Sequence, residues 1–462
     1  MSATSQPRAT LPALALLTVL LTVYLSTPLH SSSGDTFANA LTAASLLHGE
    51  RGRIDTLTPD HSAIVAQHRV YLLASPRGGW VSPYGIGVPA ALLPVYALAK
   101  LAGMPDEVLL GDGLNRAIAA VWSALAVTLF FSAARRWGDA GAAWFATAAL
   151  GLGTSALSLL SREVWQHSLL LLLSAAVLAL LWRPHPGPSA AAACAAGVLA
   201  GWGVAARPTA LVLAAAWGWL LWRSDRRRLG WFAAGLAPAL LAVAAYQWAV
   251  LGSPFIPGQL LVGDVRFAAA GSSTAYSLLS GLAGVLVSPG RGLLIYSPVL
   301  LVVVITPLLR RSARPQECQP LAVIVPPAVA AIVANVIAAA AWREWWGGFT
   351  YGPRYLSDTL MLWGVLLVVA LASRRSLGAV RRRLLLAAAM LLLGVSIAFH
   401  AAGLLVDPYG VRSHDSVFQP DAHPEVLWRW AEFPPLYNLR VWLKHRADGE
   451  ATTAPRRWRA AR

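Results

Sequence analysis

Residues 30–52 read HSSSGDTFANALTAASLLHGERG, and this stretch determines how the rest of the chain is interpreted. It follows a first apolar run, Leu11 to Leu29, and places Asp35 a few residues beyond the end of that run. A helical, Ala-rich segment comes next (Phe37 to Leu47), and a later apolar run, Val81 to Ala102, is broken by prolines. A carboxylate held at a bilayer edge beside such segments suggests a membrane-embedded catalytic site.

The composition is that of an integral membrane protein. The 462 residues are 57% hydrophobic and 13% charged, and apolar runs of about 18–20 residues recur along nearly the whole chain. The net charge of +16 would suit a nucleic-acid-binding protein. The arginines, however, cluster in short gaps between apolar runs, as topology determinants do, so nucleic acid is excluded as a partner. Cys194 and Cys318 have the spacing of neither a disulfide framework nor a metal site.

The apolar runs predict an all-α, polytopic membrane protein with about 11 transmembrane helices, in a range of roughly 10–13. The first run lacks a small-residue cleavage site and is followed by many more runs, so it is expected to be an uncleaved anchor. The predicted spans are 12–29, 115–134, 141–160, 166–182, 189–206, 208–222, 231–251, 292–309, 320–341, 355–373 and 384–405.

One further stretch, 83–103, is long and apolar enough to cross, but Pro83, Pro89 and Pro94 each remove a backbone donor. If this stretch does not cross, most arginines between spans fall on the cytoplasmic side; if it crosses, they fall outside, against the positive-inside rule. We therefore predict a re-entrant or interfacial helix on the outer side. The main clusters are Arg135 and Arg136, Arg226 to Arg228, Arg310 and Arg311, and Arg381 to Arg383.

This topology gives a cytoplasmic amino terminus and divides the chain into two parts. Residues 1–405 form the membrane domain, with 30–113 as its first extracytoplasmic loop, and 406–462 form an extracytoplasmic tail whose tryptophans suit the outer interface. Only Asp139, Asp225 and Glu317, of 21 acidic residues, then lie in cytoplasmic gaps. This favours extracytoplasmic chemistry; the alternative is that acidic residues collect wherever arginines do not.

The first candidates for chemistry are carboxylates. Asp35 could deprotonate an acceptor hydroxyl or hold a divalent cation, whereas its structural alternative is an N-cap of the Ala-rich helix. In SREVWQH, residues 161–167, Glu163 and His167 are four apart and would share one face of a helix. That pair would suit a general base or two metal ligands; the alternative is a polar hairpin at the interface.

The other candidates are cations and aromatic residues. SPGRGLLIYSP, residues 288–298, places Arg291 between glycines, as a phosphate clasp or a structural turn. Arg207, before Pro208, is a further cation at the outer boundary. WREWWGGFTYGPRYLSD, residues 342–358, combines an interfacial aromatic belt with ionisable groups that are costly near membrane depth. Its candidate ligands of phosphate or sugar are Arg343, Tyr351, Arg354 and Asp358.

With these stretches and SPYGIGVPAALLP at 82–94, the chain resembles the GT-C superfamily of membrane glycosyltransferases over roughly residues 12–440. It is most similar to bacterial relatives of the protein O-mannosyltransferases and of the lipid A aminoarabinose transferases. The resemblance implies a polyprenyl-phosphate sugar donor and Asp35 as the loop carboxylate. Thr36 follows where relatives often have a second acidic residue, and Arg77 is the nearest cation where some carry a donor-phosphate lysine.

The function expected from this resemblance is transfer of a hexosyl or pentosyl group, with inversion, to a glycan, lipid or protein at the outer face of the plasma (inner) membrane. Asp35 would act as base or as ligand of a divalent cation, Mg²⁺ or Mn²⁺. The site then requires Asp35, Glu163 and Arg354 to converge in one cavity. The alternative is a transporter or lipid flippase, a class that usually shows internal repeats and paired broken helices; the sequence shows neither.

Overall fold

The structure is a computed structural model that describes residues 10–28, 32–57, 71–137, 139–184, 187–259, 261, 277–309, 323–348, 350–406, 420 and 423–447. The described part of the chain is mostly helical with two two-residue strands, which confirms the predicted all-α, polytopic membrane fold. The first residues of the chain, Glu317, the Arg310–Arg311 cluster and most of the tail lie outside the described residues.

The amino-terminal part contains the anchor and the first loop. Two-residue strands β1 and β2 form an antiparallel hairpin with Leu73 opposite Val81. The elements are α1 (Thr10–Ser26), α2 (Gly34–Leu47), β1 (Leu73–Ala74), β2 (Trp80–Val81), α3 (Gly87–Leu101) and α4 (Asp106–Leu109). Helix α3 is the contested stretch; it keeps Pro94 inside and packs on α2, and its re-entrant or interfacial placement stays a prediction.

Apolar helices follow in close succession. They are α5 (Asp112–Arg135), α6 (Ala140–Leu152), α7 (Gln166–Leu181), α8 (Ala190–Ala206), α9 (Ala210–Ser224) and α10 (Arg226–Leu251). A π-helical turn, Ala156–Leu160, separates α6 from α7. Helices α8 and α9 are separated at Arg207-Pro208, because Arg207 has an extended backbone and proline cannot continue the hydrogen-bond ladder.

The carboxyl-terminal part has α11 (Leu278–Val287), α12 (Leu293–Tyr296), α13 (Leu301–Leu308), α14 (Val325–Ala341), α15 (Leu360–Ala372), α16 (Ala379–Ala402) and α17 (Pro434–Ala447). A 3₁₀ turn, Arg354–Thr359, leads directly into α15. Helix α17 rests on the end of α16, where Asn438 Nδ2 donates to the Ala402 carbonyl at 3.1 Å.

Helices lie at all the predicted spans within the described residues. Four are long and apolar enough to cross a bilayer: Asp112–Arg135, Arg226–Leu251, Arg354–Ser376 and Ala379–Ala402. The remaining apolar helices are shorter, so the number of crossings stays a prediction. One hydrophobic core runs through α5–α9 and α13–α16 and includes Phe130, Leu150, Leu178 and Leu367.

Buried arginines fix the point where α1 meets the first loop. Arg116 donates to the Leu25 carbonyl at 2.7 Å, and Arg162 donates to the Thr27 hydroxyl at 2.6 Å. The last carbonyls of a helix lack intrahelical partners, so Arg116 satisfies the end of α1, while Arg162 holds the residues just after it. The loop that carries Asp35 therefore leaves the first helix in a defined direction.

Candidate active site

The amino terminus of α2 holds Asp35 in its first turn. Ser33, rather than Asp35, is the N-cap, since its hydroxyl accepts a hydrogen bond from the Thr36 amide. Glu163 then secures this turn from outside: its Oε2 accepts from the Ser33 amide and from the Thr36 hydroxyl, both at 2.7 Å. The helix terminus is therefore fixed without the Asp35 side chain, which is left for other partners.

Those partners are a tyrosine and an arginine from distant parts of the chain. Tyr84 donates its hydroxyl to Asp35 Oδ1 at 2.5 Å, and Arg354 donates Nη1 to Asp35 Oδ2 at 2.9 Å. The side chains of Asp35 and Arg354 are 17% and 12% exposed, so the pair is shielded yet reachable. The predicted convergence of Asp35 and Arg354 is thus present in the structure.

Aromatic rings hold the guanidinium groups of the site. Arg354 lies over the rings of Trp165, at 4.8 Å, and Tyr355, at 5.0 Å. The Tyr355 ring also lies 5.5 Å from the guanidinium carbon of Arg207. Stacking on π faces favours the planar guanidinium and reduces its freedom. One tyrosine thus brings both cations to the same site.

A buried carboxylate, Asp358, organises the second cation. Its Oδ1 lies 2.6 Å from His167 Nδ1, and its Oδ2 accepts from Arg207 Nε at 2.7 Å and from the Thr209 hydroxyl at 3.0 Å. A buried charge is tolerated when it is paired and hydrogen-bonded in this way. Arg207 is held by Nε alone among its described contacts, so its two terminal nitrogens remain for a ligand.

Other predicted site residues have structural partners. Buried Arg291 donates to the carbonyls of Trp346, Gly348 and Gly290 at 2.7–2.8 Å, and so braces the glycine loop before Arg354. Arg291 therefore fits the structural turn that the sequence offered as an alternative better than it fits a phosphate clasp.

Two more predicted ligands are Tyr351 and Arg343. The Tyr351 hydroxyl donates to the Phe399 carbonyl at 2.5 Å, and its ring forms a T-shaped pair with Tyr296. Tyr351 is only 1% exposed, so it presents no open ring face. Arg343 lies in the turn after α14. Helix α7 begins only at Gln166, so Glu163 precedes it and does not share a helix face with His167.

Sequence reasoning missed four members of the cluster: Tyr84, Trp165, Thr209 and Tyr355. All but Thr209 lie inside the stretches quoted for the resemblance, but no periodicity or spacing distinguishes them from interfacial aromatic residues. Their selection depends on contacts between segments that are far apart in the chain.

A divalent cation at Asp35 does not fit this geometry. The carboxylate already accepts from Tyr84 and from the positively charged Arg354, and a cation at the same oxygens would be repelled by the guanidinium. No cluster of three or more His, Cys, Asp or Glu side chains suited to a metal occurs in the described ranges.

Comparison with known proteins shows a shared fold. Neither a protein-family model nor a curated protein matches the sequence. Among solved structures, the apo oligosaccharyltransferase of Archaeoglobus fulgidus shares 14% identity with a TM-score of 0.52, and the match covers 92% of this chain and 60% of that one. The chain is therefore a polytopic membrane protein that shares the fold of this archaeal oligosaccharyltransferase, and it spans three fifths of the archaeal chain.

Two weaker likenesses accompany it. ArnT from Cupriavidus metallidurans bound to undecaprenyl phosphate is 17% identical with a TM-score of 0.49, over 95% of this chain and 77% of that one. The Archaeoglobus fulgidus oligosaccharyltransferase in complex with Zn and sulfate is 15% identical with a TM-score of 0.46, over 91% and 57%.

Proposed function

We propose that this protein is a membrane glycosyltransferase that moves a sugar from a polyprenyl-phosphate donor to a hydroxyl group at the outer face of the plasma membrane. The observation that carries the proposal is the Asp35–Arg354 pair, at 2.9 Å, next to a second aromatic-supported arginine. The fold likeness to an oligosaccharyltransferase supports sugar transfer as the reaction class.

The donor phosphate binds between Arg207 and Arg354. Arg207 is suited to this task because Asp358 holds its Nε, and its described hydrogen bonds to Asp358 do not use the terminal nitrogens. Guanidinium groups bind phosphate in a planar, bidentate manner, and a fixed guanidinium needs no reorganisation as charge develops. His167 and Thr209 then act through Asp358, as positioning residues.

The reaction is an inverting displacement. Asp35 takes the proton of the acceptor hydroxyl while the acceptor oxygen forms a bond to the anomeric carbon. The bond from that carbon to the phosphate oxygen breaks on the opposite face, and its electron pair leaves with the phosphate beside the arginines. General-base help of this kind contributes about 10²–10⁴-fold in rate. The residues present supply this step without a metal ion.

The remaining predicted residues support the site in this proposal. Glu163 fixes the α2 terminus that carries Asp35, and Arg291 holds the loop before Arg354. Arg343 lies on the same outer segment as Arg354, where it remains a candidate for contact with the sugar or acceptor, whereas Tyr351 is buried against Tyr296.

Replacement of the carboxylate tests the proposal. Purified protein in liposomes, given a radiolabelled polyprenyl-phosphate sugar and a mixture of envelope acceptors, is expected to release polyprenyl phosphate. Asp35→Asn should lower that release by about 10²-fold or more, because the amide cannot accept the proton. Asp106→Asn is the matched control, since this outer carboxylate pairs with Lys100 and His48 far from the cluster.

Two outcomes would contradict the proposal. Release by Asp35→Asn at the wild-type rate would remove Asp35 from the chemistry. Movement of the intact lipid-linked sugar between leaflets, with no release of polyprenyl phosphate by the wild type, would support the flippase alternative instead.

A further inference from the structure

Tyr84 lies where it can fix the orientation of the Asp35 carboxylate. Its hydroxyl donates to Oδ1, whereas Arg354 donates to Oδ2, so the two donors hold different oxygens of one carboxylate. Two donors on separate oxygens define the plane of the group, which neither donor alone would do. Each oxygen keeps a second lone pair that can take a proton.

The protonation of Tyr84 suits a donor. Burial, together with the adjacent Asp35 carboxylate, raises the pKa of the Tyr84 phenol well above its ordinary value. The hydroxyl therefore stays protonated at neutral pH and can only donate to the carboxylate. At 2.5 Å the contact lies in the range of charge-assisted O–H···O⁻ hydrogen bonds.

The Tyr84 ring is held in place by the helix that carries its partner. It packs against a small buried cluster made by Phe37, Ala38 and Leu41 of α2 together with Ile54. The Tyr84 amide also donates to the Ser82 hydroxyl at 3.1 Å, which closes a tight turn after β2. The Tyr84 ring and the Asp35 carboxylate are thus both positioned by α2.

The back of this segment rests on the end of α8, next to Arg207. A Cβ at Gly85 would lie 2.1 Å from the Ala205 carbonyl oxygen, and one at Gly87 would lie 2.3 Å from the Ala206 amide nitrogen. Trp202 Nε1 donates to the Gly87 carbonyl at 2.9 Å. The segment that carries Tyr84 is therefore packed, backbone to backbone, on the residues that lead into Arg207.

We propose that Tyr84 is a positioning residue for Asp35. It orients the carboxylate towards the acceptor hydroxyl and fixes its position relative to Arg207 in the phosphate site. The inference rests on the proposed transferase function. Tyr84 keeps its own proton throughout, and the proton of the acceptor passes to Asp35. Its contribution is to geometry and not to substrate binding.

Tyr84→Phe tests this inference, because phenylalanine keeps the ring in its apolar cluster and removes only the hydroxyl. In the liposome assay we expect kcat to fall by about 10–10²-fold, the size of effect that misplacement of a catalytic group produces. The KM for the acceptor and the Kd for polyprenyl phosphate should stay within a factor of two or so. Tyr96→Phe is the matched control, since that buried tyrosine donates to Asn115 at 2.7 Å, away from the carboxylate.

The outcomes separate the two proposals. A wild-type kcat in Tyr84→Phe would overturn the positioning inference while transfer by the wild-type protein still stood. A loss of polyprenyl phosphate affinity as large as the loss of kcat would also overturn it, since Tyr84 would then be a substrate ligand. Absence of transfer in the wild type itself would count against the proposed function and not against Tyr84 in particular.

Discussion

At the residue scale, the site consists of charged side chains that are paired with groups of opposite charge. Asp358 compensates Arg207 and contacts His167, and Asp35 compensates Arg354. Removal of one partner from a buried pair leaves an uncompensated charge, which costs more than the pair contributes. The polar cluster is therefore a unit whose members depend on one another, with Tyr84 as the neutral member that sets direction.

Another ion pair, Asp139–Arg374 at the opposite end of the helices, gives a pH prediction. Burial would raise the pKa of Asp139, but hydrogen bonds from Arg374, at 2.7 Å, and from the Ala142 amide outweigh it and hold that pKa below its ordinary value. A carboxyl group with a depressed folded-state pKa stabilises the fold above its unfolded-state pKa of about 3.9 and loses that contribution as the pH falls through the folded-state value.

We expect Asp139→Asn to lower the Tm by a constant amount between about pH 5 and 7, and by progressively less below about pH 4. Asparagine is also a good N-cap, so the variant keeps the start of α6 and removes only the charge. The measurement is Tm against pH in detergent for both proteins. A difference that grows as the medium becomes more acidic would have the opposite sign and would contradict the assignment.

At the element scale, small residues decide how α10 is held. Only 11% of the apolar stretch of α10 is buried, so its attachment to the rest of the protein depends on one narrow face. On that face Gly235 faces the backbone of α8, where a Cβ would lie 2.0 Å from the Cys194 carbonyl oxygen, and Gly197 faces Phe232 in the same way. Close backbone approach through small residues is a common mode of helix association in membranes.

Gly235→Ala should therefore separate the two helices and destabilise the protein by about 1–3 kcal/mol, the usual cost of overpacking. The control is Gly230→Ala on the same helix, where an added Cβ meets nothing within 4 Å. That variant should be neutral or slightly more stable, since alanine is the better helix former. Thermal unfolding of both variants in one detergent makes the comparison, and equal Tm values would show that the glycine contact is unimportant.

At the scale of the whole molecule, the fold separates two ends with different chemistry. The acidic and aromatic cluster around Asp35 lies at one end of the helices, and the Asp139–Arg374 pair lies at the other. The distribution of arginines predicts that the Asp35 end faces outwards. Arg77, in the turn between β1 and β2, and Arg375, 71% exposed beside Asp139, mark these ends.

Single cysteines at Arg77 and Arg375, in a protein whose Cys194 and Cys318 are replaced by alanine, test that orientation. In intact spheroplasts a membrane-impermeant maleimide should label Arg77→Cys at once, and should label Arg375→Cys only after permeabilisation. These positions are exposed, whereas Ser161 near the site is buried and would react poorly. Labelling of Arg375→Cys in intact cells would invert the topology and place the proposed chemistry in the cytoplasm.

The sequence by itself predicted the positions of the helices and singled out Asp35 as the candidate carboxylate. Apolar runs predict spans because a bilayer requires continuous apolar length with every backbone group satisfied, and both properties are local in the chain. The same reasoning placed Asp35, Glu163, Arg207 and Arg354 at the ends of helices, where an ionisable group is costly without a partner.

Only the tertiary structure decided the partners. Asp35 meets Arg354 across 319 positions, and Asp358 meets His167 across 191, and no local pattern encodes such pairings. Packing also assigned Arg291 to backbone carbonyls and Glu163 to the start of α2. The sequence had suggested a phosphate clasp for Arg291 and a general base or metal ligand for Glu163. The physical reason is that helix formation depends on neighbours in the chain. The partner of a charged side chain depends instead on which helix ends come together, and the close packing of small and apolar side chains decides that.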